Sequence, residues 1–313
     1  MTRAPARLAR RTWTAAAVTG LALSAGVLSA SPSGAAAPPA AEAAAGDTAF
    51  GAVVKPRGSE NWTEAMTRAE QDYGRLAVIR LFDANAPDPW KTIRGKVTNH
   101  PVIASWKIPP GEVLSGAHDQ KLRTWFQNAP RTRPTWFSYI HEPEDDVERG
   151  SFAADEYRAA FARISALADE AGNPRLKATL ILQCYTVNPR SGRDWLQFYA
   201  GDAAVDVIGW DCYNHKTNTP IGYGKPSDLF GKAIEASRSV QKPWGVAEVG
   251  SLVQPGDDGT GRGAWLTAVA RYLFNQNAQF VSYFDTNGAG TDYRLLDAPS
   301  KRAWRAVVSD QRP

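Results

Sequence analysis

The chain has 313 residues, 43% hydrophobic and 22% charged, with a formal net charge of +4, which allows one large core and excludes a disordered or strongly basic nucleic-acid-binding protein. Four arginines and one glutamate within residues 1–45 account for +3 of that charge, so the remainder carries only +1. With four histidines and no His-x-His, Cys-x-x-Cys or His-Glu-x-x-His spacing, no metal or other cofactor is expected.

Residues 1–45 read as a secretory signal peptide followed by an Ala/Pro-rich tether. Arg3, Arg7, Arg10 and Arg11 precede an apolar run from Thr14 to Ala30, and the stretch Ala35 to Ala45 follows, the order of an export leader and its cleavage region. Arg10-Arg11 is a weak sign of the twin-arginine route. No later segment offers the ~18 consecutive apolar residues of a membrane span. Secretion, with no stable membrane insertion after leader removal, is therefore expected.

Residues 46–313 are expected to form one domain of about 265 residues, near the ~250 of a (β/α)8 barrel. Apolar runs at Gly51 to Val54, Leu76 to Phe82, Val102 to Trp106, Trp136 to Glu142, Lys177 to Cys184, Val205 to Tyr213, Trp244 to Glu248 and Phe280 to Phe284 predict strands. Amphipathic stretches predict helices between and after them: Asn61 to Asp72, Pro89 to Val97, Ala117 to Asn128, Ala153 to Ala171, Gly192 to Ala200, Pro226 to Val240, Gly263 to Asn275 and Ser300 to Ser309. In the fourth, Phe152, Tyr157, Phe161, Ile164 and Leu167 recur at helical spacing. Alternation of this kind builds a parallel sheet, and eight strands close it into a single TIM barrel. An open doubly wound sheet would want a glycine fingerprint after the first strand, and Lys55-Pro56-Arg57-Gly58 supplies none. A monomer is expected. Cys184 and Cys212 fall on neighbouring predicted strands, where a disulfide in an oxidising compartment and two buried thiols both fit.

Chemistry collects where strands end. Ser138-Tyr139-Ile140-His141-Glu142-Pro143 delivers a carboxylate to the carboxyl end of the fourth strand, and Trp244-Gly245-Val246-Ala247-Glu248 does the same for the seventh. In a barrel that end is the active face. By strand alternation Glu142 shares a face with Ser138 and Ile140, and Glu248 with Trp244 and Val246, so both are expected to point into the mouth. Two carboxyls there suit glycoside hydrolysis, one protonated to donate to the leaving oxygen and one ionised to attack the anomeric carbon. Arg80, ending the second strand, is placed to hold one carboxylate ionised, and Asp211 and Tyr213, ending the sixth, stand beside the strand of Glu248. Each also has a structural reading: a strand-end glutamate or Arg80 as an ion-pair partner, and His141 as packing beneath the mouth rather than a substrate contact. Aromatic residues at strand ends, Trp106 and Tyr283 among them, suit either sugar stacking or core packing. Trp106, with Lys107-Ile108-Pro109-Pro110 after it, is expected to form a sugar subsite. Glu144, Asp145 and Asp146 read as a solvated acidic loop, and His215 as a loop residue.

Glutamates ending strands four and seven of such a barrel resemble clan A of the retaining glycoside hydrolases, which cleave β-linked glycans. His141-Glu142 is most similar to the His-Glu of family 26, the β-mannanase family, while Pro143 is closer to the Asn-Glu-Pro of other clan members. Glu144-Asp145-Asp146-Val147-Glu148 stands where family 26 mannanases usually carry a tryptophan-rich stretch. The resemblance implies Glu142 as acid/base, Glu248 as nucleophile, and a carbohydrate polymer as substrate, mannan-type favoured and cut internally. A glucanase or xylanase of the same clan, or a catalytically silent glycan-binding barrel, is the alternative.

Overall fold

The computed structural model describes residues 48–97, 99–215, 222–310 and 313; the leader assigned to residues 1–45 lies outside them. Eight parallel strands, β1 (Ala49–Val53), β2 (Val78–Asp83), β3 (Val102–Trp106), β4 (Thr135–Tyr139), β5 (Leu176–Gln183), β6 (Val207–Asn214), β7 (Trp244–Ser251) and β8 (Phe280–Tyr283), pair in chain order. β1 also pairs with β8, with Phe50 opposite Val281, which closes the barrel. The expected (β/α)8 architecture is therefore the observed one.

Around the strands stand α1 (Trp62–Tyr73), α2 (Trp90–Val97), α3 (Pro110–Leu114), α4 (Asp119–Asn128), α5 (Glu144–Glu148), α6 (Ala154–Asp169), α7 (Pro226–Ser239), α8 (Thr260–Asn275) and α9 (Ala298–Asp310). Several of the longer helices start where a side chain satisfies their orphan N–H groups, as Asn61 does for α1 and Asp297 for α9. In α1, Oδ1 of Asn61 accepts from the Glu64 amide at 3.0 Å while the Glu64 carboxylate accepts from the Asn61 amide at 2.7 Å, a reciprocal cap. The short α3 and α5 were not expected. The helix expected at Gly192 to Ala200 is instead a run of single turns, with 3-10 segments at Pro189–Ser191 and Trp195–Phe198. Gly192 there takes a left-handed φ of 68°, and Asp194 spends its carboxylate on the Leu196 amide. Arg193 is drawn out of any helix by its acidic partners described below.

Two apolar layers result. Val78, Ile103, Trp136, Ile181, Val207, Ala247 and Phe280 fill the barrel floor, and a larger layer joins the outer strand faces to the helices. Gly245 lies against that floor: a Cβ there would meet the Phe280 ring at 2.7 Å. Trp304 of α9 seals the outside of the β1–β8 closure, packed edge-on to Phe50 and donating its indole N–H to the Gly51 carbonyl at 3.2 Å. Truncating it to alanine should cost roughly 3–5 kcal/mol.

Candidate active site

Neither glutamate is delivered by regular strand alternation. β4 stops at Tyr139, and Ile140 and Glu142 then adopt φ of 43° and 51°, a region that is strained for non-glycine residues and worst for a β-branched one. The strand's hydrogen bonding nevertheless continues, from the Ile140 amide to the Trp106 carbonyl at 2.8 Å and from the Glu142 amide to the Ile181 carbonyl at 3.0 Å. The Tyr157 hydroxyl of α6 secures the turn by donating to the carbonyls of Tyr139 and Ile140 at 3.2 and 3.4 Å. Ile140 thereby faces the outer layer while Glu142 enters the barrel mouth. On β7 the pairing with β6 steps from Trp210 opposite Val246 to Asp211 opposite Glu248, skipping Ala247. This bulge lets Ala247 join the floor and still brings Glu248 to the mouth, whereas Trp244 and Val246 belong to the outer layer. Both glutamates line the mouth as expected, and Glu142 shares the inner face with Ser138, which is in register with the inward Ser105; the face-sharing expected with Ile140, Trp244 and Val246 was incorrect, and local irregularity does the placing.

Glu142, Glu248, Asp211, Tyr213 and His141 all line one cavity of about 1490 Å3 at the carboxyl ends of the strands. Arg80, fully buried beneath it, reaches Oε1 of Glu248 with Nη2 at 3.2 Å and is oriented by Ser105 Oγ at 2.6 Å and the Leu81 carbonyl at 3.0 Å. Tyr213 donates to Oε2 of Glu248 at 2.5 Å. Both carboxylate oxygens of Glu248 are therefore occupied by donors. Glu142 has a different environment: desolvation, reinforced by the charges of Glu248 and Glu144, pushes it up to about 8, so it holds its proton at neutral pH.

Two further groups complete the floor of the cavity. Asp211 is buried with neither oxygen hydrogen-bonded, and burial together with the charge of Glu248 holds it well above the carboxylate range. His141 lies against Phe82, ring centroids 5.3 Å apart, and desolvation keeps the imidazole neutral. Among the described residues no three His, Cys, Asp or Glu side chains form a group able to hold a metal ion.

Trp106 and Tyr283 do not reach the site, against expectation. Ser105 and Ser282 take the inward positions at the ends of their strands, so the next residue on each faces the helices. Trp106 is buried between Trp125 and Phe137 at centroid distances of 5.1 and 6.0 Å. Tyr283 is buried against Trp304, and its hydroxyl donates to the Tyr293 carbonyl at 2.6 Å. The aromatic residues that do line the cavity include Phe82, Tyr185, Phe284 and Tyr293.

Glu144 is the largest correction to the sequence reading, since it is 1% exposed rather than solvated. Its Oε1 accepts from the Gln183 amide at 2.8 Å and the Thr186 hydroxyl at 2.6 Å, and burial pushes it up to about 7. Beside it, Arg193 binds Glu148 and Asp145, each at 2.6 Å, and the Gln183 side-chain oxygen at 2.7 Å. The signal for this clasp was present: Pro143 followed by a run of acids is a helix start, not only a polar loop. Cys184 and Cys212 form a disulfide, Cα atoms 5.0 Å apart, which ties the segment after β5 to β6 next to Asp211 and Tyr213.

No family model matches the chain, and no curated protein does. Among solved structures it is similar to the catalytic domain of a family 26 endo-β-1,4-mannanase from Bacillus sp. JAMB-750, with TM-score 0.54 and 16% identity over 85% of this chain and 86% of that one. It is similar to a β-mannanase from a symbiotic protist of the termite Reticulitermes speratus, complexed with gluco-manno-oligosaccharide, with TM-score 0.55 and 16% identity over 85% and 90% of the two chains. An exo-β-1,4-mannosidase from Opitutaceae bacterium strain TAV5 aligns with TM-score 0.60 and 11% identity over 85% of this chain and 60% of that one. The likeness is one of fold.

Proposed function

We propose that the chain is a retaining β-glycoside hydrolase acting on a β-linked polysaccharide, mannan-type favoured, with Glu142 as acid/base and Glu248 as nucleophile. The observation that carries this reading is the contrast between the two carboxyls in one cavity. Glu142 keeps its proton up to about pH 8, while both oxygens of Glu248 accept from Arg80 and Tyr213. In the first step Glu142 gives its proton to the glycosidic oxygen as that bond breaks, and Glu248 bonds to the anomeric carbon. Glu142, now ionised, takes a proton from water; the hydroxyl attacks the same face, the ester to Glu248 breaks, and the β configuration is retained. The cavity of about 1490 Å3 exceeds the ~300–1,000 Å3 of a single small-ligand pocket, which supports internal cleavage of a polymer. The mannanase named above with its bound oligosaccharide supports the choice of sugar.

A 2-deoxy-2-fluoro glycoside with a good leaving group tests this assignment. Digestion of the inactivated protein should place the label on Glu248, and proton NMR in the first minutes of hydrolysis should show the β anomer. An initial α anomer means inversion; a label on Glu142, Glu144 or Asp211 reassigns the roles.

The same reading places the protein outside the cell. The Arg-rich start, apolar run and small residues of the leader support export, and the intact mass of exported protein should give a first residue between about Ala35 and Ala52.

A further inference from the structure

Four cations that line the cavity have no part in the hydrolysis above: Lys55 after β1, Arg190 in the turns after β5, and Lys225 and Lys232 at the start and in the second turn of α7. Each is exposed, and none forms an ion pair among the described residues. Elsewhere around the mouth, cations are matched to acids: Arg57 with Asp285, Arg80 with Glu248, Arg193 with Asp145 and Glu148, and Arg262 with Asp297. Among the described residues that line the cavity, the one exposed carboxylate is Asp228. Against four cations it leaves an excess of three positive charges, on a chain whose residues after the leader carry only +1 in all. A neutral sugar polymer needs no such field, whereas a cleft of one sign concentrates ligands of the other.

Three of these cations stand on one flank. α7 packs against the turn Cys184–Val187, so Lys225 and Lys232 approach the segment that carries Arg190 and Tyr185. Tyr185 lines the same cavity with 53% of its surface exposed, more than any other aromatic residue among the described residues, Phe82 following at 37%. An exposed aromatic face takes the apolar side of a sugar ring, and lysine and arginine around it take negative groups.

We propose that the polymer held in this cavity is an anionic glycan, a β-linked chain bearing monoanionic groups, carboxylate or sulfate, that lie against Arg190, Lys225 and Lys232 while a sugar stacks on Tyr185. This inference rests on the glycosidase reading for the identity of the ligand as a glycan, and it narrows that ligand's class.

Binding to the full-length Glu248→Gln protein, in which turnover is blocked, measures the effect directly. The probes are β-mannan and β-glucan oligosaccharides and the carboxymethylated and sulfated derivatives of the same chains. For at least one backbone, a charged form should bind about tenfold or more tightly than its parent in dilute buffer, and the gap should close to about twofold at ~0.5 M salt, where the Debye length falls to a few ångströms. Whichever of the two charged forms binds better identifies the anion. Arg190→Gln, Lys225→Gln and Lys232→Gln together, all at exposed positions, should collapse the ratio of charged to parent affinity to about twofold or less, since each exposed contact contributes about twofold. Equal affinity for charged and parent chains overturns the proposal, as does a preference that survives the triple substitution. A single-stranded oligonucleotide of similar charge that binds as tightly as the best glycan also overturns it, because the cleft would then be reading charge alone. Failure of the glycosidase reading is seen separately, as wild-type protein that neither turns over aryl β-glycosides nor takes the fluorosugar label.

Discussion

Tyr213 donates its phenolic hydrogen to Oε2 of Glu248 at 2.5 Å, while Arg80 holds the other oxygen of the same carboxyl from below. The ring of Tyr213 is fixed by Tyr293 and Phe284, centroids 4.8 and 5.6 Å away, so its hydroxyl can be removed with little disturbance to packing. Tyr213→Phe should then lower kcat about 10- to 100-fold with KM within about threefold, the signature of an interaction that matters most as charge on Glu248 changes during reaction. The melting temperature should move by no more than about 2 °C. Unchanged kcat in a folded variant would remove Tyr213 from any role on Glu248.

Glu142 makes activity and stability depend on pH in opposite senses from those of an ordinary carboxylate. The acid form is required, so kcat/KM on a natural glycan should fall as pH rises through about 8. In Glu142→Ala, assayed on an aryl glycoside whose leaving group needs no proton, that alkaline limb should vanish. The folded state raises the pKa, so the stability linked to this group is full below the ordinary carboxyl value and is lost as pH rises toward about 8. Glu142→Gln, which cannot ionise, should therefore gain on the wild type across that window. Thermal melts should show the variant's advantage growing by about 5 °C between pH 5 and pH 8; a constant difference would mean that Glu142 is not protonated in the folded protein.

The buried Glu144 separates hydrogen bonding from charge. Glu144→Gln keeps an oxygen for the Gln183 amide and the Thr186 hydroxyl and should cost under about 1 kcal/mol. Glu144→Leu strands both donors in a dry site and should cost roughly 2–4 kcal/mol. Because α5 follows Glu142 directly, the leucine variant should also lose about tenfold in kcat/KM through misplacement of the acid. Denaturant titrations and kinetics at one pH read both effects, and equal stability of the two variants would show that the clasp carries no energy.

The barrel was legible because its signals are local and repeated: apolar runs alternate with amphipathic stretches, and all eight strands lie within a few residues of their expected positions. The residues of the site were legible as charges at strand ends. Their orientation was not, since it depends on a left-handed turn at Ile140 and a bulge at Ala247, features set by hydrogen bonds to Trp106, Ile181 and β6 rather than by neighbours in sequence. Glu144 sits among acids that read as solvated, and its burial is decided by Thr186, which is 42 positions away. Trp106 and Tyr283 misled for a simpler reason. An aromatic residue at a strand end fits either face, and the serines beside them had already taken the inner one.

The Cys184–Cys212 bridge offers a last test, because it supports one part of the cavity more than another. It closes a sequence separation of 28 residues, and chain entropy alone assigns such a loop about 3–4 kcal/mol. Replacing both cysteines with serine should lower the melting temperature by about 10 °C. The catalytic pair does not depend on it: Glu248 is held by Arg80 and Tyr213, and Glu142 by its backbone bond to Ile181. Turnover of a small aryl glycoside, measured well below the lowered melting point, should stay within about threefold of wild type. Cys184 opens the segment that carries Tyr185 and Arg190, however, and α7 leans on that same turn. Loosening it should weaken the flank that grips a polymer, so kcat/KM on the polysaccharide should fall about fivefold or more under the same conditions. An equal loss on both substrates would mean that the bridge supports the catalytic pair itself, and no loss on either would mean that packing around β5 and β6 suffices to hold the cleft open.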